Sequence, residues 1–168
     1  MYINTESLEF WSFVVRLLAA LLLGAVVGLD REVKNKPAGI NTFILVSVGA
    51  AAYTMVTIEF AAAYAERAGG SDPTRLVQGL VGGIGFLGAG AIIGSRGGGH
   101  LRGIGTGALI WLSGSIGIAC GLGLYVYAAV VAVLSTLTVL VTEYLQLRYG
   151  QRDALVEGDE DANDRSGS

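Results

Sequence analysis

Residues 8–29 read LEFWSFVVRLLAALLLGAVVGL, with Glu9 at the edge and Arg16 as the one charge well inside. The hydrocarbon core of a bilayer, about 30 Å thick, takes about 20 mostly apolar residues at helical rise. This run can cross it, and four more follow: Ile40–Ile58, Thr74–Ile93, Ile104–Cys120 and Leu122–Gln146. The pattern predicts an all-α membrane protein, a compact bundle of five transmembrane helices over residues 1–146. The fourth run is short and Gly121 leaves almost no loop after it, so the last two helices should form a tight hairpin.

Composition agrees. Charged residues make up 15% of the chain and hydrophobic ones 52%, whereas about 25% of an ordinary soluble domain is charged. Glycine occurs 26 times without a three-residue period, which excludes collagen, and a disordered Gly-rich chain would not be this apolar. Glycine within long apolar runs suits helices that approach closely in lipid. Met1 to Ser7 lack Lys and Arg, so the first run is expected to stay as a span rather than serve as a cleaved signal.

Lys and Arg set the expected orientation. Arg31, Lys34 and Lys36 follow the first run, Arg96 and Arg102 the third, and Arg148, Arg152 and Arg165 the fifth. The opposite side has Arg67 and Arg75. The positive-inside rule puts the N-terminus outside and the C-terminus in the cytoplasm. Trp11, Tyr64, Tyr125 and Tyr127 then mark the outer interface, and Tyr144 and Tyr149 the inner one. Asp72-Pro73 reads as an N-cap followed by Pro at the first helical position. The segment 147–168 is acidic and nearly free of large apolar residues after Val156, so a disordered cytoplasmic tail is expected there.

An internal similarity links the first and third runs. Gly24-Ala25-Val26-Val27-Gly28 and Gly90-Ala91-Ile92-Ile93-Gly94 each precede a basic loop. Gly39-Ile40-Asn41-Thr42 and Gly103-Ile104-Gly105-Thr106 then open the next helix. This reads as a parallel two-helix duplication, of a kind known in transporters; chance matching of small residues is the alternative. Gly83-Ile84-Gly85-Phe86-Leu87-Gly88 has the spacing of a dinucleotide loop, but it lies inside a span rather than after a strand, so a nucleotide site fails. Glycines four apart (Gly24/Gly28, Gly79/Gly83, Gly90/Gly94, Gly103/Gly107 and Gly117/Gly121) give flat faces for helix packing, within one chain or in a homodimer.

Few polar groups are left to carry chemistry. Arg16 lies about a third of the way along the first run from its outer end. An Arg at mid-helix costs about 2.5–3.5 kcal/mol and needs a partner or a route to water. It therefore either snorkels toward the outer interface near Glu9 or is a buried cation that pairs with a carboxylate or lines a polar cavity. Asp30-Arg31-Glu32 closes the first helix, and its two carboxylates alone make a weak cation site. Gly97-Gly98-Gly99-His100 beside Arg96 and Arg102 is a cationic loop that could nest an anion or lie on lipid, though a plain flexible loop suffices. Ser113 and Ser115 lack a base and are expected to bond neighbouring helices. Cys120 and His100 are the only residues of their types, which excludes a disulfide, a Cys- or His-rich metal cluster and a His-dependent triad. No catalytic, metal, cofactor or nucleic-acid site is expected.

Several motifs in order resemble the MgtC/SapB family. They are Arg16-Leu17-Leu18 through Gly28-Leu29-Asp30-Arg31-Glu32, then Lys36-Pro37-Ala38-Gly39-Ile40-Asn41-Thr42, then Asp72-Pro73-Thr74-Arg75 with Gly83 to Ile92. Arg102-Gly103-Ile104-Gly105-Thr106 and Trp111 to Gly117 complete the set. The resemblance implies a five-helix plasma-membrane protein linked to growth at low Mg²⁺ and to stress survival. It also implies contacts with another membrane protein such as the F-type ATP synthase. Asn41 and Phe43 stand where the family usually has Arg and His, and many members add a folded cytoplasmic C-terminal domain where this chain has the acidic segment. The candidate polar site comprises Arg16, Asp30, Arg31, Glu32, Asn41, Thr42, Arg102 and Thr106. The expected function is a non-enzymatic membrane regulator; a small ion transporter or channel, for Mg²⁺ for example, is the alternative.

Overall fold

The computed structural model describes residues 5–33, 36, 38–65, 73–93 and 103–166. Among these the chain is helical throughout: α1 (Thr5–Val33), α2 (Ile40–Ala65), α3 (Pro73–Ile93), α4 (Ile104–Gly121) and α5 (Tyr125–Ser166). Four of the helices contain stretches long and apolar enough to cross a membrane, namely Glu9–Glu32, Ile40–Ala62, Ile104–Gly121 and Tyr125–Arg148. The third is different. Thr74, Arg75 and Gln78 occupy its first turns, so its apolar part shortens to Val77–Ile93.

The chain divides into two units, Met1–Ser135 and Thr136–Ser168. In the first, α2 and α4 form the centre, with α1 against both and α3 packed mainly on α4. The core is built from small residues: Ala20, Ser47, Ala50, Ala51, Thr54, Ser113, Cys120 and Ala128 are buried, and Phe43 and Ile116 are the largest side chains fully enclosed. Large apolar side chains point outward instead, among them Leu45 at 71% exposure and Phe86 at 79%. This inverted pattern suits lipid contact, where closeness of backbones rather than escape from water holds helices together. On α5, Ala128, Ala132 and Ser135 recur once per turn on a buried face. The second unit is the remainder of α5; its helical assignment reaches Ser166, beyond the span expected to end at Gln146.

Glycine contacts fix helix directions in the first unit. A Cβ on Gly24 would lie 2.9 Å from the Phe43 carbonyl oxygen, and one on Gly28 2.7 Å from Ile40 Cα. On α4, Gly117 faces the Ser47 carbonyl and Ala50, and Gly121 faces Ala51 and Thr54, so α2 and α4 run parallel. Gly107 lies against Gly88, and Gly114 against Ile84, so α3 runs antiparallel to α4. By contrast a Cβ on Gly79, Gly83 or Gly90 would meet nothing within 4 Å among the described residues. Gly103 is a left-handed N-cap with φ 88, and Gly94 lies outside the described residues. Gly24 and Gly90, matched in the internal similarity, are thus used differently: one meets α2, the other is open.

The hairpin between α4 and α5 is as short as expected, but the residue that turns it is Gly123 (φ 77) rather than Gly121. The Gly123 N–H donates to the Cys120 carbonyl at 2.9 Å and the Leu124 N–H to Ala119 at 2.8 Å. With Leu122 donating to Ile118, this is a Schellman closure, in which a left-handed residue folds amides back on the last helical carbonyls.

Candidate functional site

Buried polar groups gather at the two ends of α4, and α1 supplies an arginine to each. At one end Arg16 Nη1 donates to the Gly121 carbonyl at 2.7 Å. The Schellman closure serves the carbonyls of Ile118, Ala119 and Cys120, and Arg16 takes the next one along. A cation at a helix C-terminus also meets the negative end of the helix dipole. The guanidinium lies over Gly123, with Nη2 3.6 Å from where a Cβ would be. Arg16 is half-buried and its partner among the described residues is a backbone carbonyl rather than a carboxylate, while Glu9 is exposed.

At the other end Arg31, only 9% exposed, donates from Nη2 to Thr106 Oγ1 at 2.5 Å. Arg16 and Arg31 are as far apart along α1 as Gly121 and Thr106 are along α4, so the two bonds define one antiparallel register. In that register Gly24 lies level with the buried Ser113, and Ala20 with Gly117. Close beside Arg31, a Glu32 Oε2 accepts from the Ile40 N–H at 3.0 Å and caps the start of α2. The same carboxylate occupies the space a Cβ on Gly39 would need. The Arg31 carbonyl accepts from the Lys36 N–H at 3.1 Å, which closes α1.

The sequence-derived set is therefore split. Arg31 and Thr106 meet directly, Glu32 joins through α2, and Asp30 is half-buried beside them. Arg16 belongs to the opposite end. Thr42 is half-buried and its N–H donates to Gly39, while Asn41 is exposed. Arg102 lies outside the described residues, as do Arg96, His100 and the loop glycines between them. Ser115 bonds its own helix through Trp111, and the buried Ser113 and Ser47 hydroxyls have no partner among the described residues, so among these residues neither serine of α4 makes the interhelical bond expected of it. No group of three His, Cys, Asp or Glu is placed to hold a metal among the described residues. Gly39, Gly88 and Gly114 make close approaches that four-residue spacing did not single out.

The MgtC family model matches residues 17–148, which contain Arg31, Thr106 and Gly121 and begin one residue after Arg16. The chain belongs to the MgtC family. Protein MgtC of Salmonella typhimurium (strain LT2) is 35% identical over 155 residues, covering 92% of this chain and 62% of that protein. Protein MgtC of Brucella abortus (strain 2308) is 40% identical over 117 residues, 70% of this chain and 45% of that one. An uncharacterized protein of Haemophilus influenzae is 41% identical over 129 residues, 76% of this chain and 52% of that one. This MgtC-family chain thus spans roughly half to three-fifths of the length of the relatives it matches. No solved structure matches it.

Proposed function

We propose that the chain is a non-enzymatic regulator in the bacterial plasma membrane, serving adaptation to low Mg²⁺ or acid stress. It acts through helix contacts with another integral membrane protein, the F-type ATP synthase being the partner the resemblance implies. Membership of the MgtC family over residues 17–148 is the observation that carries this reading. The contact mode draws support from α3, where among the described residues nothing lies within 4 Å of a Cβ on Gly79, Gly82, Gly83 or Gly90 and Phe86 is exposed. A flat glycine face lets a second helix come close. Five crossings, with the N-terminus outside, complete the proposal; α3 running antiparallel to α4 supports the third crossing.

The test is growth at low Mg²⁺ of a bacterium lacking its own MgtC-family protein. Wild-type chain should restore growth, and Gly83→Leu should not, at equal membrane abundance and equal melting temperature. Failure of the wild type to restore growth contradicts the reading. A disulfide between two chains carrying Gly83→Cys and Cys120→Ser would assign the open face to a homodimer.

A further inference from the structure

The helices of the first unit do not all end together. At the Arg31 end they do, since Arg31 meets Thr106 in the first turn of α4 and Glu32 caps the start of α2. At the Arg16 end, α4 stops at Gly121, where Arg16 binds it and α2 contributes Ala51 and Thr54. Beyond that level α1 runs on to Thr5 and α2 to Ala65. Gly24 lies on Phe43 and Gly28 on Ile40, and this register brings Glu59 level with Glu9, two turns further out. Both carboxylates are exposed. On the other side α3 behaves as α4 does. With Gly88 at Gly107 and Ile84 at Gly114, Arg75 comes level with Gly121, and the exposed Gln78 lies about a turn deeper.

The polar ends are thus set at two levels, about 10 Å apart at helical rise. Glu9 and Glu59 mark one on the α1–α2 side; Arg75, Gln78 and the α4 hairpin mark the other. The apolar stretches differ in the same sense, Glu9–Glu32 and Ile40–Ala62 against Ile104–Gly121 and Val77–Ile93. So do the exposed aromatic residues, a type that favours the membrane interface. Trp11 lies on α1 beyond Arg16, whereas Tyr125 and Tyr127 follow directly on the hairpin. A flat bilayer reaching Glu9 and Glu59 would hold the exposed Arg75 and Gln78 in hydrocarbon. Polar side chains there are costly, and a short apolar stretch is accommodated by thinning of the bilayer beside it. We infer that the α3–α4 side of this end is a seat for phospholipid headgroups, drawn about two turns deeper than on the α1–α2 side. Arg75 offers the headgroup phosphate a charge-assisted donor, and the half-buried Arg16 lies at this local interface. The seat rests on helix register and not on the regulatory reading, so either can fail alone.

Register also supplies pairs of exposed residues that share a level on the two sides, Leu18 with Gln78 and Leu22 with Gly82. The full chain with Cys120→Ser carries one spin label at a time, at Leu18→Cys, Gln78→Cys, Leu22→Cys or Gly82→Cys, in vesicles of dioleoyl phosphatidylcholine. Depth is read from the ratio of collisions with oxygen to collisions with a water-soluble nickel chelate. Labels at Gln78 and Gly82 should read about 10 Å shallower than those at Leu18 and Leu22. The Gly82 label leaves Arg75 and Gln78 in place and stands where no described atom lies within 4 Å of a Cβ. Equal depth within either pair, or a deeper reading on α3, would overturn the seat. Spin–spin broadening between Gly82 labels on two chains would overturn it too, by showing a second copy in place of lipid.

Discussion

Arg16 and Gly117 illustrate two kinds of dependence on a single residue. Arg16 holds a carbonyl that the α4 hairpin leaves over, and hydrogen bonds to charged groups contribute about 1.5–3 kcal/mol. Arg16→Met should lower stability in detergent by about that amount, read by thermal melting, and Arg16→Lys by less. At Gly117 any Cβ meets the Ser47 backbone, so Gly117→Val should destabilise strongly. Gly79→Val on α3, where a Cβ meets no described atom within 4 Å, should be neutral or slightly stabilising because valine is the better helix former. Ser113→Ala should be neutral or stabilising, because it removes a buried hydroxyl that has no partner among the described residues. Equal melting of all these variants would mean that the bundle does not pack through these contacts. The need of Arg16 for a partner was legible in its place within an apolar run. Its partner was not, because that carbonyl exists only once Gly123 has turned the chain, and no periodicity reports it.

At the scale of elements, hydropathy gives α1, α2, α4 and α5 directly, since each carries a long apolar stretch. α3 is the ambiguous one. Its polar first turns shorten the apolar part to Val77–Ile93, yet it lies antiparallel along α4 through Gly88 and Ile84. The number of crossings decides where the termini lie: five put them on opposite faces of the membrane, four on the same face. In a Cys120→Ser background, cysteine at Ser7 should react with an impermeant thiol reagent in intact cells, and cysteine at Ser168 only after lysis. Reaction of both in intact cells would remove the crossing by α3. Truncation after Arg152 should leave insertion and melting nearly unchanged, because the segment beyond it has few apolar residues to bury. A large fall in melting temperature would show that it docks. Four-residue glycine spacing marked real close approaches at Gly24, Gly28, Gly107, Gly117 and Gly121, but could not tell them from the open Gly79, Gly83 and Gly90. Spacing places residues on a common face; which face meets a neighbour is settled by the packing of the whole bundle.

For the whole molecule, the question is whether the membrane domain moves an ion or touches a partner. A path for Mg²⁺ through one chain would need carboxylates or carbonyls facing a common channel. The cations that α1 carries into the bundle are Arg16 and Arg31, bonded to the two ends of α4, and the half-buried Asp30 is the carboxylate next to Arg31. Fixed positive charge there opposes passage of a divalent cation, while the open face of α3 remains available to another helix. The family was legible from ordered motifs; the role of Thr106 as acceptor for Arg31 was not, because the residues are joined only by the antiparallel register of α1 on α4. The most direct measurement is Mg²⁺ entry into liposomes containing the purified chain and a trapped Mg²⁺-sensitive dye. Entry should be indistinguishable from that into empty liposomes under an imposed gradient and potential; entry that rises with the amount of chain incorporated would contradict the partner-contact role.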